Sequence, residues 1–407
     1  MVLKFPSFRR LFFACLLLLA LGFTSVFATP LETPADSSAT DQLEVAITKD
    51  GFHHVYLLYS QKESPCLGCA VQSRLRLAIG NDEDGSWQAP HQLTPPSFDQ
   101  VNPSMVVDPN DQRTLYVTWL ERSRKDVLVA KSSDFGRSWS LNVVARSDDA
   151  ANKPVITARG QSVQIAFSRD HQIWSASSHD GGINFDVAAV KMPVALQDVL
   201  TGGATLDPNG NAFIAWQGYS SDPAAHTNLY ISKSSDLGKN WTTTLMDISP
   251  SPNCKASDCE WDYLGAQISI ASDAAGTLYA LWNADPSGKD NAERIYFASS
   301  TTAGETWSQK SDVSGAPDGT KHMLPAIVAG ASGEVRIAWM DARNAPRWSA
   351  YERSSTNGGA TWSNEELLSM YAPNSGYIPE NNFNPLFFSA PEDARTDGSA
   401  PWNAGGL

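Results

Sequence analysis

The chain has 407 residues, of which 42% are apolar and 18% charged, so it can bury a large core and is not a disordered polymer. Thirty Lys and Arg stand against 44 Asp and Glu, a formal charge of −14. That sign disfavours general nucleic-acid binding, because phosphate backbones are repelled.

The N-terminus is expected to be a targeting segment. Lys4, Arg9 and Arg10 lie in the first ten residues with no acid among them. Leu11–Phe23 is almost wholly apolar, and Val26-Phe27-Ala28 offers small residues at the −3 and −1 positions. This is the grammar of a secretory signal, with cleavage expected before Thr29. Removing residues 1–28 takes three bases and no acid, moving the charge from −14 to −17. Residues 29–40 read as a flexible leader rich in Pro, Ser and Thr. No later segment reads as a membrane span, so no stable span remains after cleavage. The expected location is secreted or periplasmic.

Export sets the redox context. Cys15 leaves with the signal, and Cys66, Cys69, Cys254 and Cys259 remain. In an oxidising compartment two disulfides are the default. Four cysteines allow three pairings; the local pairs Cys66–Cys69 and Cys254–Cys259 are simplest, and a four-cysteine zinc site is the sharper alternative. Haem attachment fails, because Ala70 stands where a His is required.

A repeat organises residues 41–370. Ser132, Asp134, Gly136 and Trp139 spell Ser-x-Asp-x-Gly-x-x-Trp. Ser234, Asp236, Gly238 and Trp241 repeat it, and Ser178, Asp180, Gly182 and Phe185 do so with Phe. Ser300, Thr302, Gly304 and Trp307 carry Thr for Asp; Ser355, Asn357, Gly359 and Trp362 carry Asn. A degenerate copy lies at Asp82, Asp84-Gly85 and Trp87. About 20 residues upstream of each box runs a β-rich segment ending in an aromatic: Val55–Tyr59, Leu115–Trp119, Val163–Phe167, Ala212–Trp216, Leu278–Trp282 and Val335–Trp339. A shorter apolar run precedes each of these, one leads into each box, and one follows it. Four short strands recur about every 50 residues, with no convincing long helix. Six such units predict an all-β, six-bladed propeller with four antiparallel strands per blade. Within each box Asp accepts turn amides, Ser supports it, Gly supplies a positive φ and the aromatic pins the loop. The box acids are therefore expected to be structural.

These boxes resemble the Asp-box, or bacterial neuraminidase repeat, and the chain is identified on them as similar to the sialidase superfamily. The resemblance is specific for fold and less so for activity. Strand order puts loops A–B and C–D on one face of the ring and loops B–C and D–A on the other. The boxes are C–D loops, and the resemblance implies a site on the opposite face. There the B–C loops carry Glu121–Asp126, Arg169-Asp170-His171, and Asp341-Ala342-Arg343-Asn344 with Arg347. The D–A loops carry Glu260-Trp261-Asp262-Tyr263 before blade 5, and Asp318, Lys321 and His322 before blade 6. Both cysteine pairs fall on this face, fitting disulfides that brace long loops.

Sialidases clamp the sugar carboxylate with three arginines, and use a tyrosine nucleophile, a glutamate base and an aspartate acid. Arginine suits a carboxylate because its planar fork binds two oxygens. Tyrosine needs a nearby base to attack. The family's first arginine lies in a Phe/Tyr-Arg-Ile/Leu-Pro motif that this chain lacks; Arg74-Leu75-Arg76-Leu77 has no Pro and falls in a predicted C strand. The substrate-binding candidates are Arg122, Arg169 and Arg343. The catalytic candidates are Asp341, Glu260, Asp262 and Tyr263, with Tyr377 of the Pro/Asn/Gly-rich tail, residues 371–407, as a remote nucleophile. No metal or cofactor is expected. The expected activity is recognition of an extracellular glycan or protein ligand, with exo-α-sialidase hydrolysis as the alternative.

Overall fold

A computed structural model describes residues 42–63, 72–93, 99–146, 151–196, 198–219, 226–250, 266–286, 293–344 and 347–368. Packing divides the chain into Met1–Pro34 and Ala35–Leu407, and all described residues belong to the second unit. The expected signal and leader, the four cysteines, Glu260, Asp262, Tyr263 and the tail with Tyr377 lie outside the described residues. Among the described residues no helix is long and apolar enough to cross a membrane.

Among the described residues twenty-four strands form six separate four-stranded antiparallel sheets. Each sheet takes four consecutive strands, so these are the six blades of the expected propeller. The first strands are β1 (Gln42–Lys49), β5 (Gln100–Val107), β9 (Asn152–Arg159), β13 (Asp198–Leu206), β17 (Ile268–Ser272) and β21 (His322–Ala329). Successive first strands pack against one another from β1 through β21 and form the inner wall of the ring. The second strands are β2 (His54–Glu63), β6 (Leu115–Glu121), β10 (Ser162–Arg169), β14 (Ala212–Tyr219), β18 (Leu278–Ala284) and β22 (Val335–Asn344). The six β-rich runs read from the sequence fall inside them. Their closing aromatics Tyr59, Trp119, Phe167, Trp216, Trp282 and Trp339 are all buried. Arg74 and Arg76 lie in the third strand of blade 1, β3 (Gln72–Asn81), as expected.

Apolar clusters fasten blade to blade. One joins blades 1 and 2 through Leu58, Leu77, Val117 and Trp119. Another joins blades 5 and 6 through Leu281, Phe297, Ile337 and Trp339. The remaining clusters join blades 2–3, 3–4 and 4–5. Among the described residues no such cluster joins blade 6 to blade 1. Among the described residues each sheet is built from consecutive strands alone, and none takes a strand from the far end of the chain.

The repeated turn is built alike in five blades. Ser132 Oγ donates to Asp134 Oδ1 at 2.8 Å and accepts from Gly136 N at 2.9 Å. Asp134 Oδ1 accepts from Ser138 N at 2.9 Å, and Trp139 Nε1 donates to Gly136 O at 3.0 Å. Gly136 sits at φ +78°, a conformation other residues resist. The same Ser–Gly bond recurs from Ser178, Ser234, Ser300 and Ser355. Thr302 and Asn357 take the acid's place, each accepting an amide four residues on at 2.9 Å. The copy in blade 1 is a different turn: Asp82 binds Lys49 and His53 instead of closing the loop.

Candidate functional site

The face carrying the B–C and D–A loops is where every first strand begins and every second strand ends. In blade 2 the turn Arg122–Lys125 joins β6 to β7 (Asp126–Ser132). Arg122 N donates to Asp99 O at 2.8 Å, and its guanidinium faces the Asp99 carboxylate at 3.7 Å. In blade 3 Arg169 ends β10, and Asp170-His171 form a two-residue turn at φ +52° and +57° into β11 (Gln172–Ser178). Paired positive φ values mark the turn type that matches the twist of a hairpin. The Arg169 guanidinium lies 3.9 Å over the Trp174 ring and 3.7 Å from Asp170. Stacking on indole keeps the cation in place while its donors are only partly used.

Blade 6 differs from the loop expected there. Strand β22 runs on through Arg343 to Asn344, with an irregularity between Asp341 and Asn344. This turns Arg343 back over the sheet, 3.9 Å above the Tyr351 ring. Its Nη1 donates to Glu365 Oε2 at 2.6 Å and its Nη2 to Asp341 Oδ2 at 2.6 Å. Asp341 is fully buried and also accepts Trp339 Nε1 at 3.1 Å. Burial opposes the charge on Arg343, but the two carboxylates outweigh it and hold its pKa above the ordinary value. Glu365, which Gly315 N also contacts, is drawn below its ordinary pKa by Arg343 against the cost of burial. His322, expected in a loop, is the buried first residue of β21, opposite Asp341. Its Nδ1 lies 2.6 Å from Glu293 O and 3.0 Å from Thr320 O, so that nitrogen carries the proton. Asp318 reaches Arg294 of blade 5. Each candidate arginine is thus tied to a different carboxylate. Asp341 acts on Arg343 and has no exposed oxygen to offer a ligand.

Sequence reasoning missed a second group on this face. Asp198, at the start of β13, lies opposite Tyr219, at the end of β14. Burial raises the Asp198 pKa, while the Val199 amide and nearby His171 pull it down. Burial lifts the Tyr219 phenol far above its usual range; Gln217 opposes this, and the Asp198 charge adds to it. Such a phenol stays protonated and is not an activated nucleophile. Only the pairing of strand ends, which needs the register, brings these residues together.

No family model matches the sequence, and neither does any curated protein. Solved structures match in fold. The NanB sialidase of Streptococcus pneumoniae superposes with a TM-score of 0.51 at 8% identity, over 79% of this chain and 69% of that one. A polysaccharide lyase, the PL25 ulvan lyase, superposes at 0.50 with 11% identity, over 81% and 87%. A second structure of that lyase, bound to -[GlcA(1-4)Rha3S]-, matches equally at 0.50. At these identities the likeness is one of fold: a six-bladed propeller with sialidase-like structural neighbours.

Proposed function

We propose that the chain is an exported Asp-box propeller of the sialidase superfamily. It recognises glycans on the face of the B–C and D–A loops, without a sialic-acid clamp made of Arg122, Arg169 and Arg343. One observation carries this reading: Arg343 is already gripped by Asp341 and Glu365. A clamp needs a guanidinium fork whose donors are open to the ligand. Arg343 directs Nε, Nη1 and Nη2 at its own acids. In this reading Asp341 orients Arg343, Arg122 and Arg169 form part of the rim, and Glu260, Asp262 and Tyr263 contribute from the segment between blades 4 and 5.

Three further facts support it. The five alike Ser–Gly turns fit the Asp-box pattern. The N-terminal grammar fits export. The matching folds include a sialidase and a polysaccharide lyase bound to an acidic saccharide.

The test is an array of acidic and neutral oligosaccharides probed with folded protein lacking residues 1–28. Retention of a defined glycan supports the reading. A folded protein that retains none overturns it, and release of free sialic acid replaces it with the hydrolase.

A further inference from the structure

A cavity of about 210 Å³ lies on the axis, among β1, β5, β9, β13 and β17. It meets the first strand near its start in blade 3, around mid-length in blades 2 and 5, and at or past mid-length in blades 1 and 4, so it lies at about mid-height of the inner wall. Much of its wall is small or hydroxylic: Ser104, Gly202, Gly203 and Ser269. Gly202 is required there, because a Cβ would fall 1.8 Å from the Ile268 carbonyl oxygen of the next blade. Among the lining residues one side chain is charged, Lys153.

Lys153 reaches the cavity through a bulge. In β9 the pairing skips from Val155 opposite Ala166 to Asn152 opposite Ser168. Lys153 takes φ +42° directly before Pro154, where extended backbone is the norm. Thr201 Oγ1 of blade 4 donates to the Lys153 carbonyl and pins the bulge. Blades 2 and 6 carry the same device at Asn102-Pro103 and Leu324-Pro325, with φ +51° and +53°. Of these three, blade 3 alone places a cation there.

Among the described residues the Lys153 ammonium has no hydrogen-bond or ion-pair partner and no acid lines the cavity. Burial accordingly pushes its pKa down to about 8. It is still largely charged at neutral pH and lacks a counter-charge. Ser104 Oγ accepts from Ile156 N at 3.3 Å, which leaves its proton to donate inward. With a formal charge of −14, the chain repels anions at long range, so an anion must be held by a local cation.

We propose that the axial cavity is an oxyanion site in which Lys153 Nζ, with the hydroxyls of Ser104 and Ser269, holds the carboxylate of an acidic saccharide. The anion site stands on the cavity and Lys153. The saccharide as source of the carboxylate rests on the glycan reading above. The cavity has room for the acidic end of a ligand, while the rest would extend toward the candidate face.

The test is lysine side-chain NMR on the intact ring, with sodium glucuronate, sodium sulfate and neutral glucose as probes. Glucuronate should shift the Lys153 signal and raise its titration midpoint, and glucose should not. Lys153→Met should weaken glucuronate binding at least tenfold, with Lys153→Arg restoring part of it. If sulfate acts as strongly as glucuronate, the site stands and its ligand is a free anion. Should Lys153→Met not fold, trinitrobenzenesulfonate labelling of the parent replaces it, with glucuronate expected to protect Lys153. A Lys153 signal or label indifferent to every anion overturns the site. An anion-insensitive Lys153 alongside a positive glycan array refutes this site alone; a responsive Lys153 with an empty array refutes the glycan reading alone.

Discussion

Arg343 folds back onto Asp341, two residues earlier in the same strand, and its Nε lies 3.0 and 2.9 Å from the two carboxylate oxygens. Asp341 is fully buried, so it would not tolerate an open charge without this partner. The pair is linked to the connection between blades 5 and 6, since Arg343 also binds Glu365, and Glu365 contacts Gly315. Asp341→Ala should therefore cost about 3–5 kcal/mol, the scale for breaking one side of a buried ion pair. Asp341→Asn should cost less, because an amide oxygen can still accept Trp339 Nε1. Urea unfolding measures both. A loss from Asp341→Ala within about 0.5 kcal/mol of the parent, as at an ordinary surface site, would mean the pair holds nothing together.

Gly136→Val tests the repeated turn. Its Cβ would meet Leu77 and Ile79 of blade 1 at 3.3 and 3.4 Å, at φ +78°. A β-branched residue resists that φ, at a cost of about 1–3 kcal/mol. An unchanged melting temperature would show that the turn assignment is wrong.

The turn acids set an acid limit on stability. The hydroxyl and amide of Ser138, and then Ser132, hold Asp134 at about 2 against an ordinary 3.8. Asn240 and then Ser234 do the same for Asp236, also at about 2. The folded pKa lies below the unfolded one, so the stabilisation is complete above about 4 and is lost as pH falls toward 2. The Asp134→Asn, Asp236→Asn double variant should keep the fold and show a shallower fall over that window. Asn357 already serves in this position in blade 6. Equal acid sensitivity in the double variant and the parent would place the effect elsewhere.

On the proposed export, Cys66, Cys69, Cys254 and Cys259 should be fully paired. Mass spectrometry under non-reducing conditions should find no free thiol and no bound zinc. Free thiols or stoichiometric metal would overturn the disulfide expectation.

Much of the fold was legible because propeller blades repeat. The aromatics from Tyr59 to Trp339 recur at one position of each second strand, and burial of that position is local to the blade. The turn from Ser132 to Trp139 closes within eight residues, so its chemistry is written in consecutive letters. The candidate site was legible only in part. Strand order placed Arg122, Arg169 and Arg343 on one face together with Asp170 and Asp341, but it did not bring Asp99 to Arg122 or Glu365 to Arg343. Glu365 lies 22 residues beyond Arg343 and reaches it only because the strand folds the guanidinium back. Lys153 reads as an unremarkable lysine until the bulge and the neighbouring blades enclose it. Ring closure was also hidden, since it depends on blades 1 and 6 meeting, not on any local pattern.

Whether Arg343 is free to clamp a sialoside is tested by hydrolysis of a fluorogenic sialoside by purified protein lacking residues 1–28, between pH 5 and 8. With Arg343 held by Asp341 and Glu365, no turnover above buffer is expected, from a protein that nevertheless retains glycans. Sustained turnover that Arg343→Lys abolishes, with the fold intact, would contradict it, because Arg343 would then be a working clamp.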